Sequence, residues 1–299
     1  MDLTQRSSKL NQMPRHSLSF EAIGTLWSIE TEHELSRVIV ERVHARIAAF
    51  DATYSRFRSD SLVGSAAHSE GSFTFPDDAA VLFACYEKLY DISAGKVTPL
   101  IGEMLERAGY DANYSFTQQA QKILPHWEDV MHWEDPVLTT TQPIVLDVGA
   151  AGKGYLVDLI CGLLDEADVQ EYVVDASGDL RHKGTTTNLV GLEDPREPGK
   201  VIGAVDVMNK SLCASASNRR AWGDGMHHIF DPDKGESTTD IIATWVMADT
   251  GLIADGIATA LFFVEPKALA ESFNFDYVRM YLDGTIDYSH GFEGNLYHA

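Results

Sequence analysis

Apolar residues recur along this chain in two patterns, one typical of helices and one typical of buried strands. Spacings of three and four residues predict helices over Asp77–Ile92, Tyr155–Leu164 and Gly251–Phe263. Short apolar runs predict strands over Ile23–Ile29, Ile144–Val148, Glu171–Asp175, Asn188–Leu192, Val201–Val207 and Ile241–Met247. This mixed order, without regular strand–helix alternation, predicts an α+β fold of largely antiparallel sheets with packed helices, rather than a doubly wound sheet.

The amino-terminal part predicts a lead, one further helix and a polar connection. Residues 1 to about 16 are polar and indicate a flexible lead, so we expect one domain over residues 17–299. Thr31 and Glu34 have the spacing of a capping box, which predicts a helix start. The apolar stripe of that helix would consist of Leu35, Ile39, Val43 and Ile47. The stretch Ser55–Gly71 is polar, and 113–141 is expected to form strands and loops.

The composition and the net charge of the chain limit the classes of molecule that it can bind. The 299 residues are 44% hydrophobic and 23% charged, which is ordinary for a globular protein. A formal net charge of -22 disfavours nonspecific binding to nucleic acid or to an anionic membrane, since both carry the same sign. A ligand that bears phosphate therefore needs local help from glycine amides, a lysine or a metal ion.

The cysteines and the apolar segments of the chain indicate in which cellular compartment the protein resides. Cys85, Cys161 and Cys213 are too few and too scattered for a disulfide framework or a zinc site, which fits a reducing compartment. The first residues lack the apolar core of roughly 7–15 residues that a secretory signal needs. The apolar stretch Ile253–Val264 is interrupted and too short to span a bilayer. We expect a cytoplasmic protein without membrane insertion.

The segment Asp147–Asp158, DVGAAGKGYLVD, places an acid, three glycines and a lysine at a predicted strand-to-helix junction. Glycines let a ligand approach the main chain, N–H groups at a helix start attract anions, and Lys153 would add positive charge. The segment also suits an ordinary tight connection. Its spacing matches neither GxGxxG nor the P-loop pattern GxxxxGK[ST], so a nicotinamide or NTPase site is unsupported.

Four further segments gain meaning together with this turn. They are YDISAGKVTPL at Tyr90–Leu100, DASGDL at Asp175–Leu180, HHIFDPDKG at His227–Gly235 and ADGIATALFF at Ala254–Phe263. In this order the five motifs resemble the ApbE family of flavin-binding proteins, the FAD:protein FMN transferases, from about Gly24 to Phe263. Each motif alone is weak, whereas five in one order form a specific match. The resemblance implies an α+β, T-fold-like domain.

The resemblance also implies an activity. Such an enzyme uses magnesium, cleaves FAD, attaches the FMN half through a phosphoester bond to a threonine or serine of a target flavoprotein, and releases AMP. FAD is then the substrate, and the partner is an acceptor flavoprotein with a Thr/Ser flavinylation motif. A Mg²⁺ ion suits this acidic chain, because phosphoryl transfer depends on positioning and on positive charge at the phosphate oxygens.

A metal site is implied at three positions. Asp255 and Thr259 match the family's metal-binding acid and hydroxyl, one helical turn apart on one face, and Ala150 stands where the family uses a backbone carbonyl. Magnesium accepts carboxylate, hydroxyl and carbonyl oxygens. Without the other motifs, Asp255 would be interpreted as a helix N-cap.

A general base and several flavin contacts complete the implied site. His228 aligns with the histidine of the family's HxxDPxTG pattern, and a histidine that titrates near neutral pH can take a proton from a hydroxyl. The adjacent His227 remains an alternative. The flavin-contacting positions that the resemblance implies are Ile23, Leu89, Tyr90, Asp91, Asp147, Lys153 and Ile229. Tyr90 also suits a core aromatic at a helix end.

Three departures from the family pattern leave other functions open. Ser177 replaces the first glycine of the usual GGD, Ser215–Arg220 replaces the family's TSGxxxR segment, and Lys234 stands where threonine is usual. A relative with these changes could bind or store FAD, or act as an FAD pyrophosphatase that yields FMN and AMP without an acceptor protein. A redox enzyme that uses bound flavin is a further alternative.

Overall fold

Seventeen strands and eight helices make up the described part of the computed structural model, which comprises residues 16–223, 225–292 and 295–297. The strands are β1 (His16–Ala22), β2 (Thr25–Thr31), β3 (Gly71–Thr74), β4 (Met131–Glu134), β5 (Val137–Thr140), β6 (Tyr172–Asp175), β7 (Asp179–Lys183), β8 (Asn188–Glu193), β9 (Val201–Val207), β10 (Ser211–Ala216), β11 (Ala221–Trp222), β12 (Met226–His227), β13 (Phe230–Asp231), β14 (Glu236–Ser237), β15 (Ile241–Ala248), β16 (Asp276–Tyr281) and β17 (Ile286–Tyr288). The helices are α1 (Arg37–Tyr54), α2 (Leu62–His68), α3 (Ala79–Ile92), α4 (Gly102–Arg107), α5 (Trp127–Val130), α6 (Gly152–Glu166), α7 (Gly251–Ala260) and α8 (Pro266–Ala270). The predicted flexible lead lies outside the described residues, apart from His16.

An antiparallel sheet of eight strands, in the order β1-β2-β6-β7-β10-β15-β16-β17, forms the centre of the fold. All residues of β15 are buried, because both of its faces are covered. Val246 and Ala248 pack into the core that contains α1, α3, α6 and α7. Trp245 and Met247 pack into a second core with the β8–β9 hairpin. The α+β prediction is thereby confirmed, as are the helices predicted at α3, α6 and α7.

Helices α6 and α7 approach each other at their first turns with no room for a side chain. A Cβ atom at Gly154 would lie 2.1 Å from the carbonyl oxygen of Gly251, and one at Gly251 would lie 2.4 Å from that of Gly154. Asp255 of α7 accepts the Gly154 N–H at 2.8 Å. Asp158 of α6 accepts the N–H groups of Gly251 and Leu252, each at 2.8 Å. Each helix thus supplies a carboxylate to the amino-terminal end of the other.

The strand predicted over Ile23–Ile29 is corrected to a hairpin. Ile23 and Gly24 form the turn between β1 and β2, with φ angles of 44° and 77°. The two-residue turns that match the twist of paired strands commonly require positive φ at both residues. β-branched residues such as isoleucine rarely adopt positive φ. The apolar pattern that includes Ile23 therefore predicted a continuous strand and not a turn.

The capping box predicted for α1 is wrong. Ser36 is the N-cap of this helix, while the Thr31 hydroxyl donates a hydrogen bond to the carbonyl oxygen of His33 at 2.7 Å. Thr31 lies in β2, whose pairing with β6 extends to this residue. The predicted stripe survives in its second half, since Val43 and Ile47 are buried.

Two further segments differ from their predictions. The polar stretch Ser55–Gly71 contains α2, which the sparse apolar pattern did not predict and which Ser61 caps. Ile144–Val148 is not a strand, although its apolar side chains at 144 and 146 are buried. The Ile144 N–H bonds to the Ala66 carbonyl at 2.9 Å, outside any sheet. Burial alone therefore produced the strand-like apolar run.

The close contact between α6 and α7 leads to a prediction about the free energy of unfolding. We expect Gly154→Ala to lower the free energy of unfolding by about 3 kcal/mol, because the methyl group would overlap the Gly251 main chain. Gly162→Ala is the matched control on the same helix, since no atom lies within 4 Å of its added Cβ. That change should raise the free energy of unfolding by roughly 0.5–1 kcal/mol. Urea unfolding of the three proteins measures both effects, and equal stabilities would contradict the close crossing.

Candidate active site

Two adjoining cavities form a cleft beside the glycine turn. The larger, which we call the main cavity, has a volume of about 540 Å³, and the smaller, the inner cavity, has about 60 Å³. Both are lined by Tyr110, Asp147, Gly149 and Arg220, so the two volumes meet at these residues. The cleft therefore offers one large and one small compartment on either side of a charged junction.

Aromatic rings form much of the wall of the main cavity. Phe57 and Tyr114 are stacked with centroids 5.7 Å apart, and Tyr110 and Trp222 are stacked at 5.2 Å. Phe116 lines the same cavity, and its side chain, like that of Tyr114, is about half exposed. Flat aromatic surfaces of this kind suit a planar ring such as isoalloxazine or adenine.

The three metal-ligand positions implied by the sequence come together at the glycine turn. Thr259 Oγ1 lies 3.2 Å from the carbonyl oxygen of Ala150, and both residues line the inner cavity. Asp255 lies one helical turn before Thr259 on α7 and is buried, with its Oδ2 atom bonded to the Gly154 N–H. The described residues contain no cluster of three His, Cys, Asp or Glu side chains suited to a metal. A metal ion here would therefore need the hydroxyl and carbonyl oxygens.

Lys153 belongs to a buried cluster of charges with Asp179 and Asp255. Its Nζ atom lies 2.9 Å from Asp179 Oδ2 and donates to the Ala176 carbonyl at 3.2 Å. Burial alone would lower the pKa of Lys153, but the carboxylates of Asp179 and Asp255 raise it. Burial, and next the charge of Asp179, raise the pKa of Asp255 well above its ordinary value. Two carboxylates thus face one ammonium group, which leaves the cluster short of positive charge.

Asp147 is held by an arginine that the sequence analysis did not single out. Arg56 Nε donates to Asp147 Oδ2 at 2.5 Å, and the Gly149 N–H donates to Oδ1 at 2.6 Å. Burial alone would raise the pKa of Asp147, but Arg56 and the Gly149 N–H hold it below the usual value. The Arg56 guanidinium lies over the Phe57 ring, 4.2 Å from its centroid. Asp147 is therefore a fixed anion at the junction of the cavities.

The structure separates the roles of the two adjacent histidines. Both ring nitrogens of His227 are used, since Nδ1 accepts the Ile229 N–H at 3.3 Å and Nε2 lies 2.8 Å from the Thr238 carbonyl. His228 is half-buried, lines the inner cavity, and has Nδ1 3.1 Å from the Arg219 carbonyl. A carbonyl only accepts, so Nδ1 carries the proton and Nε2 keeps its lone pair. Burial, then Arg220 and His227, lower the pKa of His228 to about 3, so the titration near neutral pH expected from the sequence is wrong and the ring is neutral at neutral pH.

The remaining predicted flavin contacts fall in different places. Ile23 and Lys153 line the main cavity, and Ile229 lines the inner one. Leu89 is fully buried, and a Cβ atom on Gly256 would meet its Cδ1 at 2.8 Å. Tyr90 and Asp91 line a third, separate cavity, so the structure does not bring 89–91 to the cleft. Their contact with flavin stays a prediction.

The segment just after these residues lines the cleft instead. Lys96, Val97 and Thr98 line the inner cavity, and Lys96 Nζ lies 2.8 Å from Asp231 Oδ1 and 2.8 Å from Asp233 Oδ2. The motif at Tyr90–Leu100 therefore reaches the cleft through these later residues and not through Tyr90 and Asp91. Lys96, a basic residue next to apolar residues, was the sequence signal that could have identified this part of the cleft.

The profile of the ApbE family matches residues 23–281. The chain belongs to the ApbE family. Similar proteins include the FAD:protein FMN transferase of Haemophilus influenzae, which is 25% identical over 85% of this chain and 82% of that protein. The FAD:protein FMN transferase of Escherichia coli K12 is 22% identical over 85% of this chain and 80% of its own length.

Solved ApbE structures share the fold. The ApbE protein of Thermotoga maritima matches with a TM-score of 0.83 and 19% identity, over 95% of this chain and all (100%) of that one. The flavin transferase ApbE of Vibrio cholerae matches with a TM-score of 0.75 and 17% identity, over 95% and 99% of the two chains. These similarities confirm the ApbE-like α+β architecture. Within the described residues, no helix combines the length and apolar character needed to cross a membrane.

The two histidines should respond differently to replacement. We expect His227→Ala to be strongly destabilising, because it leaves the buried Ile229 N–H and the Thr238 carbonyl without partners, at roughly 1–3 kcal/mol for each group. His228→Ala removes one hydrogen bond, so the free energy of unfolding should change by about 1 kcal/mol or less. Urea unfolding measures this contrast. His228→Ala should also retain FAD binding, and loss of binding would give that residue a structural role.

Proposed function

We propose that this chain is an FAD:protein FMN transferase that joins the FMN half of FAD to a threonine or serine hydroxyl of an acceptor flavoprotein and releases AMP. The observation that carries the proposal is the convergence of three distant segments on one small cavity. Ala150 of the glycine turn, His228 and Thr259 of α7 all line the inner cavity. The family membership and the named activity of the relatives support the same reaction.

The chemistry assigned to the chain's own residues begins with His228. Its Nε2 lone pair accepts the proton of the acceptor hydroxyl, whose oxygen attacks the phosphorus on the FMN side of the pyrophosphate. The bond from that phosphorus to the AMP phosphate oxygen breaks, and AMP leaves with the bonding electrons. The Arg219 carbonyl holds the ring in the tautomer that this step requires. The aromatic walls and the turn at Asp147 would hold the flavin nucleotide in place.

Magnesium fits the residues near Asp255. The buried pair Asp179 and Asp255 faces Lys153, so a further positive charge would offset the burial and the repulsion by Asp179 that raise the pKa of Asp255. Asp255, Thr259 and the Ala150 carbonyl would hold the ion, since all three supply the hard oxygen atoms that magnesium prefers. When bound, the ion would place positive charge on the phosphate oxygens.

The acceptor and its compartment remain proposals. A flavoprotein with an exposed Thr/Ser flavinylation motif is the expected partner, because the proposed step needs a hydroxyl that reaches His228 in the inner cavity. The cytoplasmic location stays a prediction that rests on the polar amino-terminal sequence and the scattered cysteines.

An assay with defined products tests the reaction. Purified protein would be incubated with FAD and Mg²⁺, with and without an acceptor domain that carries the flavinylation motif. We expect the acceptor to gain the mass of FMN, measured by intact-mass spectrometry, together with an equal amount of AMP. Free FMN and AMP without labelling would favour an FAD pyrophosphatase. Bound and intact FAD would favour a storage protein.

The metal assignment is tested by Asp255→Asn. The amide oxygen can still accept the Gly154 N–H, so we expect the fold to persist while the negative charge that binds the ion is lost. Turnover at fixed Mg²⁺ should fall by roughly 100-fold or more, because a bound ion contributes several kcal/mol to transition-state stabilisation. Asp249→Asn, an exposed position two residues before α7, is the control and should keep full turnover. Full metal-dependent turnover in Asp255→Asn would contradict the assignment.

A further inference from the structure

We propose that Arg220 is the residue that contacts the pyrophosphate of FAD, at the junction of the two cavities. This inference rests on the proposed function and deepens it, since it assigns the charge that recognises the phosphate groups.

Arg220 lies where the two compartments meet. It lines both the main cavity and the inner cavity, together with Tyr110, Asp147 and Gly149. A dinucleotide that places a ring against the aromatic wall and its reacting phosphorus near His228 must pass this junction with its pyrophosphate. Among the four shared residues, Arg220 is the only positively charged one, and its side chain is exposed to the cleft solvent.

The other cations that line the two cavities are already paired within the chain. Lys153 pairs with Asp179, Arg56 with Asp147, Lys96 with Asp231 and Asp233, and Arg58 with Asp51 and Asp60. No hydrogen bond or ion pair joins Arg220 to any residue in the described ranges. Within that part of the chain, Arg220 is therefore the lining cation whose guanidinium donors are available to an anion.

The backbone holds Arg220 in a defined position. Its φ angle is 46°, a left-handed conformation that is uncommon for a residue with a long side chain. The chain is anchored on both sides, because Asn218 Nδ2 donates to the Pro195 carbonyl at 2.9 Å and Trp222 Nε1 donates to the Ala108 carbonyl at 3.0 Å. A residue with a strained backbone between two anchors is typical of functional positions, where the surrounding structure holds an unfavourable conformation in place.

The same segment connects Arg220 to the candidate base. The carbonyl of Arg219, the preceding residue, accepts the hydrogen bond from the His228 ring. The base and the phosphate-binding cation are thus separated by one peptide unit and one hydrogen bond. In a chain with a net charge of -22, an arginine beside the base that has no partner among the described residues offsets the long-range repulsion of an anionic substrate.

Ligands with and without phosphate test the assignment. Dissociation constants of FAD and riboflavin would be measured by flavin fluorescence for wild-type protein, Arg220→Gln and Arg220→Lys, in the presence of EDTA. We expect Arg220→Gln to weaken FAD binding by roughly 10- to 100-fold, the loss typical of one or two charge-assisted hydrogen bonds, and to leave riboflavin binding unchanged. Arg220→Lys should lie between the two. Arg196→Gln, which makes the same charge change outside both cavities at an arginine paired with Asp194, is the control and should match wild type.

The other outcomes separate failure of the Arg220 assignment from failure of the proposed function. Equal losses of FAD and riboflavin affinity would place Arg220 against the ring or in the fold, and unchanged FAD affinity would remove it from the site. Wild-type protein that binds FAD but transfers no FMN would overturn the proposed function and leave this binding test valid. Wild-type protein that binds no FAD would overturn both.

Discussion

The contact between the first turns of α6 and α7 is the constraint on which the site depends. Gly154 and Gly251 bring the two main chains together, and no larger residue fits at either position. Asp158 and Asp255 then each accept an N–H at the amino-terminal end of the other helix, where the partial positive charge favours carboxylates. The Asp255 carboxylate that stabilises α6 is also the proposed metal ligand. The glycine turn is therefore held beside α7 by the same group that would bind the ion.

Two of the positively charged side chains in the cleft are held in ion pairs with aspartates. Lys153 and Arg56 do not protrude as free cations but are bound by Asp179 and Asp147, which fixes the turn that lies between them. A buried pair contributes little net stability, whereas breaking it leaves a costly unpaired charge. These pairs therefore define geometry more than they attract substrate. In the proposed site, attraction of an anion would be left to a metal ion at Asp255 and to Arg220, which would let a protein of net charge -22 accept a dinucleotide.

Sequence reasoning recovered the elements whose apolar spacing is set by burial on one or two sides, such as α3, α6 and β15. It failed where local conformation depends on tertiary contacts, as at the turn at Ile23 and the buried Ile144–Val148 segment. Motif resemblance singled out Ala150, His228 and Thr259, and the structure brings these three residues to one cavity, while their roles stay predictions. It did not locate the aromatic wall or Arg56, since those residues meet only through folding and carry no local pattern.

The inner cavity also bears on how the proposed transfer would be distinguished from hydrolysis of FAD by water. Its volume of about 60 Å³ is close to that of two water molecules, at about 30 Å³ each in the liquid. The hydroxyl-bearing end of a serine or threonine side chain is of similar size, so the neutral ring of His228 can face either nucleophile. His228 therefore does not by itself distinguish a protein acceptor from water. Discrimination must come from the acceptor, which displaces water when it closes the cavity and delivers one hydroxyl to Nε2.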